Sequence, residues 1–574
     1  MKLRLKRLTL ILITLLLMLG SRLGQLQILQ GKRYARLSDR NRIRKIILPA
    51  PRGKIFDRNG VLLADTRPTW SVSVVPTEIN DSALIILSAI INQPFDALKR
   101  RLKPVAAFPS PVNILRNAPF EMIARIEENN FRLPGVIVRV DYVRHYPFHN
   151  LYAHSIGYVA EITDEELSRD TSYRPLDYIG KTGIEARYEK QLRGRDGYQY
   201  VEVDARGREI GPIPEKRPEP YVPGKDIYLS IDHQLQQVAY SLIEKFNRAA
   251  VIGIDVKTGE VICLVSHPDF DPNIFLSPIK AAQWDSLISN PSKPFYNRVV
   301  SSAYPPGSTF KPLIALLALE KGLVTPQTKF APCTGFFRYG NRIFKCWTAH
   351  GQLNLLAAIE QSCNTYFYQL GLKLNLDTLV TFCHRFGLGQ ATGIDIPSEA
   401  EGKVPDREFF NQRYGKGKWT RGVMLNLAIG QGEILTSPVQ LAQLYACFAN
   451  NGYYFQPHLV TKIESAGKPV FVTPKKRIQV SINQNDLYWV KTALSRVVEY
   501  GTGRAAQIRE ITIAGKTGTA QNPPRADHAW FVGYAPAEEP KVVFAVIIEN
   551  AGHGGAIAAP IVAELVRSYF ANKK

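Results

Sequence analysis

Three short strings of the sequence carry hydroxyl, amine and amide groups in an order that suits acyl transfer through a serine. They contribute, in chain order, Ser308 and Lys311, then Ser362 and Asn364, then Lys516, Thr517, Gly518 and Thr519. A serine hydroxyl is a poor nucleophile until a neighbouring base accepts its proton. The three strings together supply such a base, a proton relay and an anion site, and so predict an enzyme that opens an amide through an acyl-serine.

The second and third strings can support the first. A lysine acts as a base only when burial and a nearby cation lower its pKa, and Lys311 and Lys516 can exert that influence on each other. Ser362 can relay a proton between the lysines and the leaving amine. Asn364 offers both a donor and an acceptor to a substrate amide or to Lys311.

The third string is suited to an anion. Lys516, Thr517 and Thr519 can hold a substrate carboxylate, and Gly518 lies between the two threonines. A backbone N–H near Thr519, together with that of Ser308 at the start of a helix, would form an oxyanion hole. Losing one such donor typically costs about 10²- to 10³-fold in rate.

Local context selects these strings from similar ones. Competing strings begin at Ser277, Ser465, Ser481, Lys181 and Lys257. Ser308 follows a Pro-Pro-Gly turn and precedes the apolar run 311–319, which predicts a helix that begins at Ser308 and places Lys311 one turn further on. Ser465 lies in a polar turn between two expected strands, and Ser277 has no helical run behind it.

The lysine strings are separated in the same way. The string at Lys257 joins two apolar runs and predicts a hairpin turn, while the one at Lys181 opens a charged helical stretch. Lys516 follows a strand-like run, 511–514, and its string carries a further threonine. Context therefore leaves one string of each kind.

These strings and their surroundings resemble the penicillin-binding, serine-acylating transpeptidase family. Residues 304–312, 426–441 with Gly430-Gln431-Gly432 at their centre, and 515–521 match its pattern. The run Arg52 to Gly60 is similar to the opening of the non-catalytic module of class B members. The resemblance covers essentially the whole chain. Residues 527–531 and the loop 333–350 resemble the elongation-specific subgroup more than its division counterpart.

The resemblance implies a fold, an activity and partners. It implies an α+β transpeptidase domain of the penicillin-binding and serine β-lactamase type, with a five-stranded antiparallel sheet, standing on an elongated α+β pedestal. The implied activity cross-links peptidoglycan stem peptides during elongation and is inhibited covalently by β-lactams. Implied partners are stem peptides that end in D-Ala-D-Ala, a SEDS-type glycan polymerase and elongation-complex scaffold proteins.

Length and charge agree with a multidomain protein. The chain has 574 residues and a formal net charge of +22, but residues 1–60 hold 15 lysines and arginines against Asp39 and Asp57, a net charge of +13. A basic segment of this kind indicates anionic lipid, since no nucleic-acid motif accompanies it. We expect an anchor at 1–30, a pedestal at 31–223 and a transpeptidase domain at 226–574.

The N-terminus predicts membrane insertion. Lysines and arginines precede an uncharged apolar run, 8–21, and the apolar pattern resumes as far as Leu29 around Arg22. Fourteen helical residues span roughly 21 Å, whereas residues 8–29 span roughly 33 Å, enough for a bilayer core. We expect an uncleaved single-pass anchor in the inner membrane, with the N-terminus cytoplasmic and the catalytic domain periplasmic. The alternative is a cleaved secretory signal.

Four residues have the composition of a zinc site. Cys333, Cys346, His350 and Cys363 are separated by twelve, three and twelve residues. Three thiolates and an imidazole form a tetrahedral zinc set, and metal ligands at matching loop positions are implied by the resemblance to the elongation subgroup. The alternative is a disulfide between Cys333 and Cys346, which an oxidising compartment would favour. We expect one structural zinc ion and no cofactor for the acyl transfer itself.

Other functions use the same chemistry. A division-specific transpeptidase shares every string. A β-lactamase would need a hydrolytic glutamate, for which Glu433 is the nearest candidate. A β-lactam sensor would need further membrane spans or a cytoplasmic output domain. The sequence favours the elongation enzyme over these three.

Overall fold

The computed structural model of the chain describes residues 2–34, 43–106, 111–203, 209–214, 216–276, 279 and 281–571. The competing string at Ser277 begins outside these residues. Helices and strands alternate throughout, so the chain has the expected α+β composition.

The strands of the described residues are numbered in chain order. Strands β1 to β9 are Ile43–Leu48, Ile55–Phe56, Leu62–Val74, Val112–Leu115, Val136–His145, Val159–Glu161, Tyr178–Gly180, Gly197–Val203 and Glu209–Pro212. Strands β10 to β15 are Asp226–Leu229, Ala249–Asp255, Val261–His267, Phe336–Tyr339, Arg342–Lys345 and Tyr453–Phe455. Strands β16 to β21 are Val460–Ser465, Lys468–Val472, Arg477–Gln479, Ala514–Ala520, His528–Ala535 and Val542–Ile548.

The α-helices are numbered in the same way. Helices α1 to α9 are Lys2–Gly24, Asp81–Ile90, Phe95–Leu102, Phe120–Glu128, Asp164–Arg169, Gly183–Arg187, Glu189–Leu192, His233–Ile243 and Ala281–Ile288. Helices α10 to α18 are Lys311–Glu320, Leu355–Glu360, Asn364–Gly371, Leu376–Arg385, Arg407–Tyr414, Val423–Ala428, Pro438–Ala449, Gln484–Glu499 and Gly554–Ala571. Short 3₁₀ segments include Gly307–Phe310, and a π-helical turn, Gln25–Leu29, follows α1.

A five-stranded antiparallel sheet forms the centre of the C-terminal half, in the order β12-β11-β21-β20-β19. Its central strand β21 is buried at every position. Val542, Phe544 and Val546 pack in one apolar cluster, and Val543 and Ala545 pack in the other. The sheet is therefore covered on both faces, as its continuous apolar sequence indicates.

The edge strand β19 carries the third string. We expected a strand over residues 511–514 with Lys516 just beyond it, but β19 begins at Ala514 and contains Lys516 itself. Ile513 ends a non-strand segment and packs its side chain in the core. An apolar side chain that packs from a loop gives the same sequence signal as one in a strand, which explains the shift.

A second sheet joins the two halves of the chain. Its order is β17-β16-β10-β2-β3-β4, and β5 pairs with β3. Strand β10 runs parallel to β2 and antiparallel to β16. The expected boundary between residues 223 and 226 therefore falls beside a strand that is hydrogen-bonded to elements of both halves.

The run Arg52 to Gly60 lies at this junction. Arg52 forms ion pairs of 2.6 Å with Glu185 and Glu189, and Arg144 also pairs with Glu185 at 2.6 Å. Both glutamates are buried. A side chain at Gly53 would place its Cβ 1.9 Å from the Lys225 carbonyl oxygen. Removing one partner from such a buried cluster typically costs about 3–5 kcal/mol, so the cluster holds this run firmly in place.

The N-terminal segment is helical, but the expected transmembrane helix is not among the elements found. Helix α1 has 23 residues and includes Arg22 in its last turn. In the described part of the chain, no helix combines the length and the apolarity needed to cross a membrane.

The competing strings adopt the structures expected of them. Lys257 follows β11 in the turn to β12, and Ser465 ends β16 at the turn to β17. Lys181 precedes α6. Ser308 differs from these three, because it lies at the start of a helix whose first nine residues are buried.

Candidate active site

Ser308 and Lys311 occupy the start of a buried helix. The 3₁₀ segment Gly307–Phe310 leads directly into α10, in which the first nine residues are buried. Ser308 is partly exposed, whereas Lys311 is fully buried. The expected helix start is thus found, with a 3₁₀ turn in place of a first α-turn.

The second string lies against Lys311. Lys311 Nζ donates to the Ser362 carbonyl oxygen at 2.8 Å, to Ser362 Oγ at 3.3 Å and to Asn364 Oδ1 at 2.7 Å. Burial lowers the pKa of Lys311 to about 8, against an opposing effect of the Cys346 and Cys363 sulfurs. A lysine in this setting is partly neutral at physiological pH and can accept a proton.

Ser362 is held in an unusual backbone conformation. Its φ is +56°, in the left-handed region that disfavours residues other than glycine. It lies between α11 and α12 and is buried. Helix α12 begins at Asn364, whose Nδ2 donates to the Lys345 carbonyl oxygen at 3.2 Å. These contacts direct both side chains of the string towards Lys311.

The third string lies along β19, at the edge of the five-stranded sheet. Lys516 is fully buried, and its pKa is lowered by burial first and by the charge of Lys311 second. Thr517 Oγ1 lies 2.7 Å from Thr502 Oγ1. A Cβ at Gly518 would lie 2.9 Å from Thr309 Cγ2. Close packing of β19 on the Ser308 turn therefore requires glycine at residue 518.

The structure brings all eight predicted residues of the three strings into one region. Helix α10 carries Lys311, the second string surrounds its amine, and β19 packs on the 3₁₀ segment that carries Ser308. In this arrangement Ser308, which is partly exposed, lies one helical turn before the buried Lys311, and the edge strand that carries the buried Lys516 packs on the Ser308 segment. The arrangement has the parts for acylation of a serine.

Sequence reasoning missed several contacts of the site. Thr502 and the Lys345 carbonyl gave no local signal, because each meets its partner only through the tertiary fold. Gln431 lay within a matched pattern but without an assigned contact, and its Nε2 donates to the Thr519 carbonyl oxygen at 3.0 Å. Glu433 accepts from Tyr414 Oη at 2.9 Å, and in the described part of the chain no hydrogen bond joins it to the three strings.

The four candidate metal ligands form a cluster beside the second string. One ligand atom from each of Cys333, Cys346, His350 and Cys363 lies within 4.8 Å of all the others. His350 Nδ1 is 3.6 Å from both Cys333 Sγ and Cys346 Sγ. The backbone N–H of Asn364 donates to Cys346 Sγ at 3.2 Å. The cluster is thus joined directly to the start of α12.

The cysteines are all free thiols in the structure. The neighbouring Cys346 and Cys363 thiols affect each other in opposite directions, which lowers the pKa of Cys346 and raises that of Cys363. The remaining cysteines, Cys263, Cys383 and Cys447, are buried. Burial raises the pKa of each of these three thiols.

The five-stranded sheet, the buried Lys311 and the β19 edge together define a serine acyltransferase of the penicillin-binding class. Residues 249–567 match the penicillin binding protein transpeptidase domain, and residues 47–229 match the penicillin-binding protein dimerisation domain. The chain belongs to the class B penicillin-binding transpeptidases.

Relatives and solved structures agree with this assignment. The chain is 38% identical to the peptidoglycan D,D-transpeptidase MrdA of Acinetobacter baumannii, over 95% of this chain and 84% of the relative. It is 33% identical to MrdA of Escherichia coli strain K12, over 93% and 89%. PBP2 of Pseudomonas aeruginosa in complex with WCK 5153 superposes with a TM-score of 0.69 at 33% identity, over 92% and 96%. The complex of PBP2 and MreC from Helicobacter pylori gives 0.80 at 27%, over 93% and 100%.

Proposed function

We propose that this protein is a peptidoglycan D,D-transpeptidase that cross-links stem peptides during cell-wall elongation. The observation that carries the proposal is the buried amine of Lys311, which contacts Ser362 and Asn364 and lies one turn from Ser308. The similarity to MrdA proteins supports the peptidoglycan substrate and the elongation subgroup.

In the proposed acylation, neutral Lys311 accepts the proton of Ser308 as Oγ attacks the carbonyl carbon of the penultimate D-Ala. The new C–O bond converts the carbonyl into an oxyanion, which the backbone N–H groups of Ser308 and Thr519 stabilise. The C–N bond then breaks, and Ser362 passes a proton to the leaving amine of the terminal D-Ala. Thr517 and Lys516 hold the terminal carboxylate before the bond breaks.

The acyl group then passes to an amine of a neighbouring stem peptide. The acceptor amine attacks the acyl carbon and loses a proton to the same base, the bond from that carbon to Ser308 Oγ breaks, and the base returns the proton to Oγ, which restores the free enzyme. A β-lactam presents a similar carbonyl and carboxylate, and it leaves a stable acyl-serine because its leaving group stays attached. Asn364 orients the donor through its side-chain amide.

Covalent labelling tests this proposal. A fluorescent penicillin should label the chain at Ser308 with a stoichiometry of one, and Ser308→Ala should abolish the label. Competing serines provide matched controls, so Ser465→Ala should label normally. Full labelling of Ser308→Ala would remove Ser308 as the nucleophile.

The fate of the acyl group separates the candidate functions. Incubation with a D-Ala-D-Ala stem peptide and an amine acceptor should yield cross-linked product. Release mainly to water, at β-lactamase-like turnover, would contradict transpeptidation. Depletion in the cell should give rounded cells if the role is elongation, whereas filamentation would indicate division.

We propose that the chain has two domains with different roles, a non-catalytic pedestal at 31–223 and the catalytic domain at 226–574. The match of residues 47–229 to the dimerisation domain supports a non-catalytic role for the first part. Solved relatives include PBP2 in complex with MreC and a peptidoglycan synthase complex. By analogy, we propose that a glycan polymerase and an elongation scaffold protein bind this chain.

We propose that Cys333, Cys346, His350 and Cys363 bind one structural zinc ion. Their ligand atoms lie within 4.8 Å of one another, and three sulfurs with an imidazole nitrogen suit zinc. His350 Nδ1 faces two of the sulfurs. The other ring nitrogen, Nε2, is buried and has no hydrogen-bond partner among the described residues. When bound, zinc would supply folding free energy to the loop that precedes α12.

Metal analysis tests the zinc site. Purified protein should contain about one equivalent of zinc, and Cys346→Ser should lose it. Cys383→Ser is the matched control, because it removes a buried thiol outside the cluster. A zinc-free protein with Cys333 and Cys346 joined in non-reducing peptide mapping would support the disulfide instead.

We propose that the N-terminal segment attaches the protein to the inner membrane, with the catalytic domain in the periplasm. Exposed leucine and isoleucine side chains along α1, such as Leu8, Leu12 and Leu16, support this proposal. Arginines and lysines before residue 8 suit the cytoplasmic face. Deletion of residues 2–30 should release active enzyme from membranes, and an N-terminus beginning beyond residue 21 on sequencing would identify a cleaved signal.

A further inference from the structure

The loop 430–432 contacts the backbone on both sides of the proposed oxyanion hole. Gly307 N donates to the Gly430 carbonyl oxygen at 2.8 Å. The next residue, Gln431, donates from Nε2 to the Thr519 carbonyl oxygen at 3.0 Å. Two adjacent residues of one loop therefore bond to the residue before Ser308 and to Thr519 itself.

The two glycines of this contact, Gly430 and Gly307, have no space for a side chain. Gly430 has a φ of +69°, and a Cβ there would lie 2.2 Å from the Gly307 carbonyl oxygen. Gly307 has a φ of +57°, and a Cβ there would lie 2.9 Å from the Thr519 carbonyl oxygen. The loop, the Ser308 turn and β19 therefore meet backbone to backbone.

The loop is itself fixed at both ends. At its start, Gly430 N donates to the Leu427 carbonyl oxygen at 3.0 Å, and Gln431 N donates to that of Asn426 at 2.9 Å. Four residues beyond its end, Thr436 and Tyr304 exchange two backbone hydrogen bonds of 2.8 and 2.9 Å. Tyr304 is four residues before Ser308, so the loop and the Ser308 turn share an anchor.

The bond from Gln431 determines how the Thr519 peptide is oriented. Strand β19 is the edge of its sheet, and the Thr519 carbonyl oxygen accepts from Gln431. A Cβ at Gly307 would lie 2.9 Å from that oxygen and 3.4 Å from the Thr519 nitrogen, so both atoms face the Ser308 turn and not β20. In an antiparallel strand the N–H and C=O of one residue point to the same side. The N–H of Thr519 therefore points away from β20 as well, towards the Ser308 turn.

We propose that Gln431 is a positioning residue that sets the geometry of the oxyanion hole by holding Thr519 at a fixed distance from the Ser308 turn. This inference rests on the proposed acyl transfer. Gln431 acts through Thr519 and not on the substrate. Oxyanion stabilisation depends on donors placed to within a fraction of an ångström, and small displacements of such groups cost large factors in rate.

The inference predicts a particular kinetic signature. Loss of the Gln431 bond should lower the rate constant for acylation, because the oxyanion forms only in that step. It should leave the pre-covalent dissociation constant nearly unchanged, because Thr517 and Lys516 still bind the carboxylate. Deacylation should slow by a similar factor, since it passes through the same oxyanion.

The test uses Gln431→Met, which keeps the length of the side chain and removes its donor. Gln479→Met is the matched control, since Gln479 Nε2 donates to the Gly452 carbonyl oxygen at the same 3.0 Å. Stopped-flow measurement with a fluorescent penicillin separates the acylation rate constant from the dissociation constant. Melting temperatures are recorded for both variants and for the parent.

We expect Gln431→Met to lower the acylation rate constant about 10- to 100-fold, less than full loss of a donor, with the dissociation constant within about twofold and melting unchanged. Gln479→Met should match the parent. An unchanged rate constant, or a loss confined to the dissociation constant or to melting, would overturn the inference. Failure of the parent itself to acylate at Ser308 would instead contradict the proposed function.

Discussion

The chemistry of the site depends on two buried amines whose surroundings differ. Lys311 is bonded by three acceptors of the second string, from Ser362 and Asn364. Lys516 Nζ contacts only its neighbour Thr517 among the hydrogen bonds of the described residues, at 3.2 and 3.4 Å. The different surroundings fit different roles, since the base must exchange a proton whereas the anion site must present donors.

The pKa of Lys311 predicts the pH dependence of acylation. The base is active when neutral, so the acylation rate should rise with pH through the pKa of about 8 and then level off. At pH 7 the rate should be about a tenth of the plateau. Penicillin acylation measured from pH 6 to 9.5 checks this. A rate that falls over this range would exclude a neutral lysine as the base.

Removal of the amine gives a second check on the base. Lys311→Ala should fold and acylate about 10²- to 10⁴-fold more slowly than the parent. The residual rate should lose its rise with pH. Normal acylation by this variant would exclude Lys311.

Removal of the Thr517 hydroxyl should weaken recognition of the substrate carboxylate. Thr517→Val removes the hydroxyl that faces Thr502 and that we propose holds the carboxylate. Penicillin acylation should weaken about 10- to 100-fold, the usual range for one charge-assisted hydrogen bond. A β-lactam methyl ester should lose much less, and the melting temperature should hold. Equal losses for the acid and the ester would contradict carboxylate binding.

At the scale of elements, the turn between α11 and α12 stores backbone strain beside the base. Ser362 adopts a φ of +56°, and both helices are held by tertiary contacts. Glu360 at the end of α11 pairs with Arg496 at 2.7 Å, and Asn364 starts α12 beside the cysteine cluster. Strained residues of this kind persist where the surrounding structure fixes them.

The strain predicts a difference between two variants that both lack the hydroxyl. Ser362→Ala keeps a Cβ in the left-handed region, whereas Ser362→Gly removes it. Glycine should therefore give the more stable protein, by about 1 kcal/mol in the free energy of unfolding. Both variants should acylate poorly. Chemical denaturation compares the stabilities, and a more stable alanine variant would contradict the strain at Ser362.

Much of the site could be predicted from sequence because its chemistry lies in short strings. Ser308 and Lys311 are one helical turn apart, and the order of residues 516–519 follows a single strand, so local spacing gives their relative placement. The five-stranded sheet was implied by the family resemblance instead, since it pairs strands from both ends of the domain. The placement within each string depends on residues close together in the chain.

Other features depend on contacts that no local pattern records. Thr502 meets Thr517 across a loop, and Gln431 meets Thr519 from 88 residues away. The parallel pairing of β10 with β2 joins strands about 170 residues apart, so the expected boundary at 223–226 gave no sign of it. Only the packed structure defines these contacts.

At the scale of the whole molecule, the N-terminal and C-terminal halves share an apolar core cluster, and polar pairs also cross between them. Arg58 pairs with Glu260 at 2.8 Å, and Tyr188 donates to Asp395 at 3.0 Å. Asp395 also accepts the backbone N–H of Leu459 at 2.6 Å. Polar pairs that cross the interface make its stability depend on pH, because protonation changes the bonds that they form.

The buried His154 indicates how the stability of the fold should change with pH. It is buried between the halves, with Nε2 3.4 Å from the Pro268 carbonyl oxygen and its ring against Phe270. Burial lowers its pKa to about 4, against smaller opposing effects of the hydrogen bond to Pro268 and of Asp269, while Arg298 and His267 lower it further. The unfolded chain would titrate this imidazole near 6.5. Between these values the unfolded state binds more protons, so stability is present above pH 6.5 and is lost as pH falls.

The loss from this residue should reach about 3 kcal/mol between pH 6.5 and 4, at about 1.4 kcal/mol for each unit of pKa difference. His154→Phe should flatten this part of the pH profile, because phenylalanine keeps the ring contact with Phe270 and has no proton to gain. His553→Phe is the control, since His553 is exposed at the start of α18. Denaturant unfolding at a series of pH values measures the slopes. Equal slopes for the parent and His154→Phe would show that the buried imidazole does not make the free energy of unfolding depend on pH.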